Sequence, residues 1–157
     1  MAVYWFTGQP GSGKTVLAKK LHSFLKTEKR NWRRDVFHLD GDHLREITNN
    51  KDYSEQGRRN NIRTAQIIVE YLHINRCDVV VSLVAPFLDL REELKDKIKE
   101  DFTEIYVHCS DERPRDDFKV KDYEPPQVNF IDMDTTKDSP DTSFSKLINN
   151  LNKLNKL

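Results

Sequence analysis

Neither sign of charge prevails in this sequence. Its 157 residues carry 26 basic and 26 acidic side chains. A protein that grips a polyanion along its length needs surplus Lys and Arg, because phosphate neutralisation supplies most of that affinity. A nucleic-acid polymer is therefore not expected as the main ligand, although a basic pocket for one nucleotide is compatible with the balance. Cysteine is scarce as well: Cys77 and Cys109 stand far apart, with no CxxC or Cys/His spacing. That argues against a disulfide or metal framework and predicts two small buried apolar side chains in a reducing compartment. The five histidines show no metal spacing either. No apolar run approaches the ~18 residues of a membrane span, so no membrane partner is expected. The chain runs directly into Ala2-Val3-Tyr4-Trp5-Phe6 without a basic stretch or cleavage site, which predicts no signal peptide and a cytoplasmic location. No repeat, low-complexity tract or dividing linker is present, and residues 1–157 are read as a single domain long enough for a substantial core.

What is present is an alternation of short apolar runs with amphipathic stretches. Residues 3–6 read as a buried strand, and 14–26 as a helix with Val16, Leu17, Leu21, Phe24 and Leu25 at helical spacing. Strand-like runs recur at 36–39, 78–83 and 104–108, with a fifth expected at 128–131. Helical periodicity returns at 59–73 and 88–100. Residues 110–127, with Pro114, Pro125 and Pro126, read as loop. The last stretch, 143–157, sets Leu147, Ile148, Leu151 and Leu154 on one face, as a final helix packed on the sheet would. The alternation predicts an α/β fold: a parallel five-stranded sheet with helices on both faces and ligands at the carboxyl ends of the strands.

Gly8-Gln9-Pro10-Gly11-Ser12-Gly13-Lys14-Thr15 matches GxxxxGK[ST] at every fixed position. Glycines let successive backbone N–H groups turn inward around a phosphate without a Cβ in the way. The helix that follows presents its positive dipole end to the same anion. Gly8, Gly11, Ser12, Gly13, Lys14 and Thr15 are therefore the expected ATP-binding residues. Lys14 would reach the β- and γ-phosphates, and the Thr15 hydroxyl would ligate Mg²⁺. A chance glycine-rich turn is the bland alternative, but the motif follows a buried strand and opens an amphipathic helix. That context identifies a P-loop NTPase or kinase fold with ATP and Mg²⁺ as cofactors, without separating kinases from NTPases.

Asp40-Gly41-Asp42 follows the second strand, so both carboxylates are expected at the same sheet edge as the phosphate loop. There a carboxylate could hold a Mg²⁺-bound water or accept a proton from an attacking hydroxyl. Arg45, Tyr53, Arg58, Arg59, Asn61 and Arg63 come next. Guanidinium forks match phosphate or sulfate oxygens, and an aromatic ring can stack on a base. Arg45 and Arg58 are the candidates for an anionic acceptor, whereas Arg59 reads as a solvated helix face.

With these pieces in order, the chain resembles the adenylylsulfate kinase family. The resemblance rests on Phe6-Thr7-Gly8 leading into the phosphate loop, Leu39-Asp40-Gly41-Asp42-His43-Leu44-Arg45, and Tyr53-Ser54 with Arg58 and Asn61-Ile62-Arg63. It continues through Val81-Ser82-Leu83-Val84-Ala85-Pro86-Phe87, Glu104-Ile105-Tyr106-Val107 and Tyr123-Glu124-Pro125-Pro126. It implies transfer of the ATP γ-phosphoryl group to the 3′-hydroxyl of adenosine 5′-phosphosulfate. Lys14, Asp40 and Asp42 would be catalytic, Thr15 and Asp40 would handle the metal, and Arg45, Tyr53, Arg58, Asn61, Val84 and Phe118 would hold the acceptor. A homodimer is compatible with this reading.

The departures from the family pattern concern the acceptor side. Gly57-Arg58 stands where the family has Asp-Arg. Ala85 replaces a serine, so no phosphoenzyme can form there. The lid region, 110–127, is shorter than the family's, with Arg115-Asp116-Asp117-Phe118-Lys119-Val120-Lys121 in place of a longer run. Phe118 would take over stacking on the acceptor base, and Lys119 or Lys121 would stand in for lid lysines. Two alternatives stay open: a kinase for another modified nucleotide, such as a cytidine diphosphate derivative, or a nucleotide-binding module without transfer. Turnover on a panel of acceptors separates them.

Overall fold

The computed structural model describes residues 1–28, 35–111 and 119–157. Five strands, β1 (Val3–Thr7), β2 (Val36–Asp40), β3 (Asp78–Ser82), β4 (Phe102–His108) and β5 (Phe130–Asp134), form one sheet in the order β2-β3-β1-β4-β5. Every neighbouring pair is parallel. All five therefore end at one edge, and β1 and β3 are buried along their whole length. Their unbroken apolar runs are what a sheet covered on both faces requires.

Alternate strand residues feed two cores. Val3, Trp5, Val79 and Val81 face α3 (Glu55–Ile74) and α4 (Leu88–Ile98), meeting Ile62, Ala65, Val69, Leu90 and Leu94. Tyr4, Phe6, Val80, Ile105 and Val107 face α1 (Lys14–Glu28) and α5 (Pro140–Lys153), meeting Leu17, Leu21, Leu25, Leu147 and Leu151. The expected parallel five-stranded sheet with helices on both faces is therefore the observed one.

Several boundaries differ from expectation, each for a local reason. The fifth strand begins at Phe130 rather than 128: Val128 is exposed, and its carbonyl accepts a hydrogen bond from Lys95 Nζ. Strand β5 lies at the sheet edge and buries only Ile131 and Met133, so its polar alternation leaves its bounds poorly marked by apolar residues. The last helix starts at Pro140, with Ser139 capping the Thr142 amide, and ends before Leu154, which is exposed. A short helix not anticipated from periodicity, α2 (Gly41–Ile47), follows β2 directly. Cys77 and Cys109 are free thiols, as expected, but both are half-buried rather than buried. No helix among the described residues is long and apolar enough to cross a membrane.

Candidate active site

The phosphate loop sits between β1 and α1, at the carboxyl edge of the central strand. Gly8 adopts φ +145°, and a Cβ on it would come within 2.0 Å of the Val107 carbonyl oxygen on β4. Only glycine lets the loop leave β1 so close to its neighbour. Gly11 and Gly13 also have positive φ, at 80° and 98°. Lys14 is buried, and its Nζ donates to the Gln9 carbonyl (2.7 Å) and lies 3.5 Å from Ser12 Oγ. Ser12 is fixed in turn by Thr135, whose Oγ1 donates to the Ser12 carbonyl.

Asp40 ends β2 and caps α2, and four donors converge on its carboxylate. Oδ1 accepts the amides of Asp42 (3.1 Å) and His43 (3.3 Å). Oδ2 accepts the hydroxyls of Thr15 (3.0 Å) and Ser82 (2.7 Å). Burial pushes the Asp40 carboxyl up, but the hydrogen bonds from Ser82, His43, Thr15 and Asp42 outweigh it, and the pKa lies below the ordinary carboxylate value. The phosphate loop and the Asp-Gly-Asp segment are therefore physically joined through Thr15 and Asp40.

The two meet in a cavity of about 330 Å³, lined by Lys14, Thr15, Asp40, Asp42, Arg45, Tyr53, Arg58, Asn61 and Val84 together with Gly11, Gly13 and Ala85. Arg45 Nη1 donates to the Asn50 and Asp52 carbonyls, and Arg58 Nε donates to the Tyr53 carbonyl. The Tyr53 ring is approached by both guanidinium groups, 4.4 Å from Arg45 and 5.6 Å from Arg58. Burial and then the neighbouring Arg45 charge lower the Arg58 pKa, a penalty that a bound anion would relieve. Arg59 points elsewhere, pairing with Glu55 and Asp89 over the Phe87 ring. Lys119 and Lys121 are exposed and are not among the lining residues. Phe118, expected beside the acceptor base, lies outside the described residues, as do Arg115, Asp116 and Asp117 of the expected lid.

A family model described as adenylylsulphate kinase matches residues 1–124. The chain belongs to the adenylylsulphate kinase family. Among the relatives of this adenylylsulphate kinase family member is an adenylyl-sulfate kinase of Halothermothrix orenii, 31% identical over 92% of this chain and 85% of that protein. A cytidine diphosphoramidate kinase of Campylobacter jejuni is also 31% identical, over 68% of this chain and 60% of that protein. The crystal structure of APE1195 superposes with a TM-score of 0.81 at 28% identity, covering 97% of this chain and 95% of that one.

Within this family member, several site residues escaped sequence reasoning. Gln9, inside the phosphate loop, exchanges two hydrogen bonds with the backbone of Val120. Tyr123 Oη lies 2.6 Å from Thr7 Oγ1, which donates to the Val84 carbonyl. Arg91 is wholly buried, pairs with Glu104 (2.8 Å) and donates to the carbonyls of Ala85 and Glu124. It holds Ala85 at φ +39°, a left-handed conformation that alanine rarely adopts. Glu124 Oε2 accepts the Leu88 amide at the start of α4, whose own N-cap, Phe87, has no side-chain acceptor. Gly57 also gains a reason: a Cβ there would lie 2.3 Å from the Asp52 carbonyl oxygen. The loop that presents Tyr53 packs on Gly57. A polar residue closing an apolar strand, Ser82, was a visible signal; the others have partners too distant in sequence to be read.

Proposed function

We propose that this chain transfers the γ-phosphoryl group of ATP to the 3′-hydroxyl of adenosine 5′-phosphosulfate. The observation that carries the reading is the Thr15–Asp40 contact, which joins the phosphate loop to a cavity that also holds two arginines and a tyrosine. A hydroxyl and a carboxylate form a hard oxygen donor set, and the glycine cradle leaves its backbone N–H groups free of Cβ obstruction. Both fit a Mg²⁺-bound triphosphate. Thr15 and Asp40 would hold the Mg²⁺, which when bound supplies charge neutralisation on the β- and γ-phosphates.

The residues divide the remaining work. Gly8, Gly11, Ser12 and Gly13 cradle the phosphates, and Lys14 exchanges the Gln9 carbonyl for the phosphate oxygens where charge develops. Asp40, with four donors and a lowered pKa, is a fixed anion and a poor proton acceptor. Asp42 is exposed at the cavity edge and accepts the proton from the acceptor hydroxyl. The acceptor oxygen attacks the γ-phosphorus in line as the bond to the bridging oxygen of ADP breaks. Arg45 and Arg58 hold the anionic end of the acceptor, Tyr53 its base, Asn61 its ribose, and Val84 the wall beside it. We place the enzyme in the cytoplasm, where free thiols such as Cys77 and Cys109 persist.

A second reading keeps this chemistry and changes the acceptor to a cytidine diphosphate derivative, favoured by the Campylobacter relative and by the altered Gly57 contact. ADP release measured with adenosine 5′-phosphosulfate beside a panel of 5′-modified nucleotides tests both. Turnover confined to adenosine 5′-phosphosulfate supports the first reading, and turnover confined to a cytidine nucleotide replaces it with the second. ATP binding without turnover on any acceptor rejects both. Lys14→Ala should cost about 10²–10³-fold in kcat, as loss of a group stabilising transition-state charge does.

A further inference from the structure

Asp40 is held by two residues: Ser82, which lines the cavity beside it, and His38, which does not line it. The register of β2 on β3 sets Asp40 directly beside Ser82, and His38, two residues earlier, shares the face of Asp40. Ser82 Oγ lies 2.7 Å from Asp40 Oδ2 and 2.9 Å from His38 Nε2. The direction of this chain of bonds is forced. An ionised carboxylate only accepts, so the single Ser82 proton points at Asp40. Ser82 Oγ must then accept from His38, which requires the imidazole to carry its proton on Nε2.

The same Oδ2 accepts the Thr15 hydroxyl. Because that proton is committed to Asp40, the Thr15 lone pairs are turned away from the carboxylate, toward the cavity. Rotation of the Asp40 carboxylate would release Thr15, and the Ser82 bond opposes that rotation. The two backbone amides on Oδ1 fix the other oxygen. The His38 ring is itself backed by the His22 ring at 5.9 Å, with His22 Nε2 3.1 Å from the Val36 carbonyl.

We propose that Ser82 and His38 are positioning residues for Asp40, a donor relay from His38 Nε2–H through Ser82 Oγ–H to Oδ2 that aims Thr15 at the metal of the bound nucleotide. The inference rests on the kinase reading above, and it concerns the binding of Mg²⁺ with nucleotide rather than the identity of the acceptor. Residues that orient metal ligands commonly cost about 10–100-fold in metal affinity when removed.

The test measures ADP affinity by calorimetry with and without Mg²⁺ in the full chain, together with the ring ¹⁵N spectrum of His38. In the wild type, Mg²⁺ should strengthen ADP binding, and His38 should show the Nε2–H tautomer. Ser82→Ala should reduce that Mg²⁺ enhancement about tenfold while metal-free ADP affinity stays within about twofold. His38→Leu should follow Ser82→Ala, and His38→Gln, whose amide can still donate to Ser82, should keep most of the enhancement. A Ser82→Ala protein with the wild-type Mg²⁺ enhancement, a His38→Leu protein equal to His38→Gln, or a wild-type Nδ1–H tautomer would each overturn the inference. Failure of the kinase reading shows instead in the wild type, as ADP binding indifferent to Mg²⁺. The paired His38 variants keep the comparison decisive if Ser82→Ala does not fold.

Discussion

The side-chain amide of Gln9 and the backbone of Val120 exchange two hydrogen bonds, Nε2 to the Val120 carbonyl at 2.8 Å and the Val120 amide to Oε1 at 2.9 Å. A phosphate-loop side chain thus imitates a strand and fastens the segment that leads into Tyr123 and Glu124. Those residues in turn touch Thr7, Pro86 and Leu88. The nucleotide loop and the wall of the candidate acceptor pocket are tied by one residue. Gln9→Leu keeps a similar volume and removes both bonds, each worth about 1 kcal/mol net. Hydrogen exchange at the Val120 amide should speed up about tenfold or more, and the acceptor KM should rise. Unchanged exchange at Val120 would show that the clamp holds nothing.

On the proposed function, Arg58 should bear on acceptor affinity more than on the chemical step. It lies beside Tyr53 and Arg45 in the cavity, and a charge-assisted bond to an anion contributes about 1.5–3 kcal/mol. Arg58→Ala should raise the acceptor KM about tenfold or more while leaving the ATP KM and kcat near wild type. Steady-state kinetics with each substrate varied would check this, and an unchanged acceptor KM would remove Arg58 from the pocket.

Gly57 reverses the usual rule for helices. Gly→Ala in an exposed helix interior ordinarily stabilises by about 1 kcal/mol. Here the new Cβ would lie 2.3 Å from the Asp52 carbonyl oxygen and 2.4 Å from Asp52 Cγ. Gly57→Ala should therefore destabilise by about 1–3 kcal/mol, as overpacking does, and it should displace the loop carrying Tyr53. Urea unfolding reads the sign: a midpoint at or above wild type would contradict the packing seen here.

Alkaline pH should unfold the protein through its buried tyrosines. Burial, then the nearby Asp78 charge, raises the Tyr4 pKa far above its ordinary value of 10. Burial likewise dominates a raised pKa at Tyr123. Above pH 10 the unfolded chain releases these protons while the native state keeps them. The unfolded state then binds fewer protons, and stability falls as pH rises. Each tyrosine contributes a slope of up to about 1.4 kcal/mol per pH unit. Tyr4→Phe loses its hydrogen bond to the Lys156 carbonyl and should be slightly less stable at neutral pH. Its decline above pH 10 should nevertheless be shallower than that of the wild type, which melting curves across pH 9–11 would show.

The phosphate loop was readable in the chain because its chemistry is local. Gly8, Gly13, Lys14 and Thr15 form one contiguous turn between a strand and a helix, and their spacing alone specifies the cradle. The two cores were likewise legible from periodicity, since β1 and β3 are unbroken apolar runs. Edge strand β5 was misplaced because one covered face leaves only alternate residues apolar. The two sides of Tyr53 divide in the same way. Arg45 and Arg58 could be named from residue type, but that a tight contact at Gly57 shapes their loop could not.

Sequence by itself determined the fold class, the glycine-rich loop between β1 and α1 and the carboxylate segment that meets it, because each depends on neighbours in the chain. Tertiary structure alone decided what aims those groups. Ser82 meets Asp40 across 42 residues, Gln9 meets Val120 across 111, and Thr7 meets Tyr123 across 116. Such contacts follow from the strand order and register of a parallel sheet, where crossovers bring distant strand ends to one edge. No local pattern encodes which polar side chain will stand beside which once the sheet has closed.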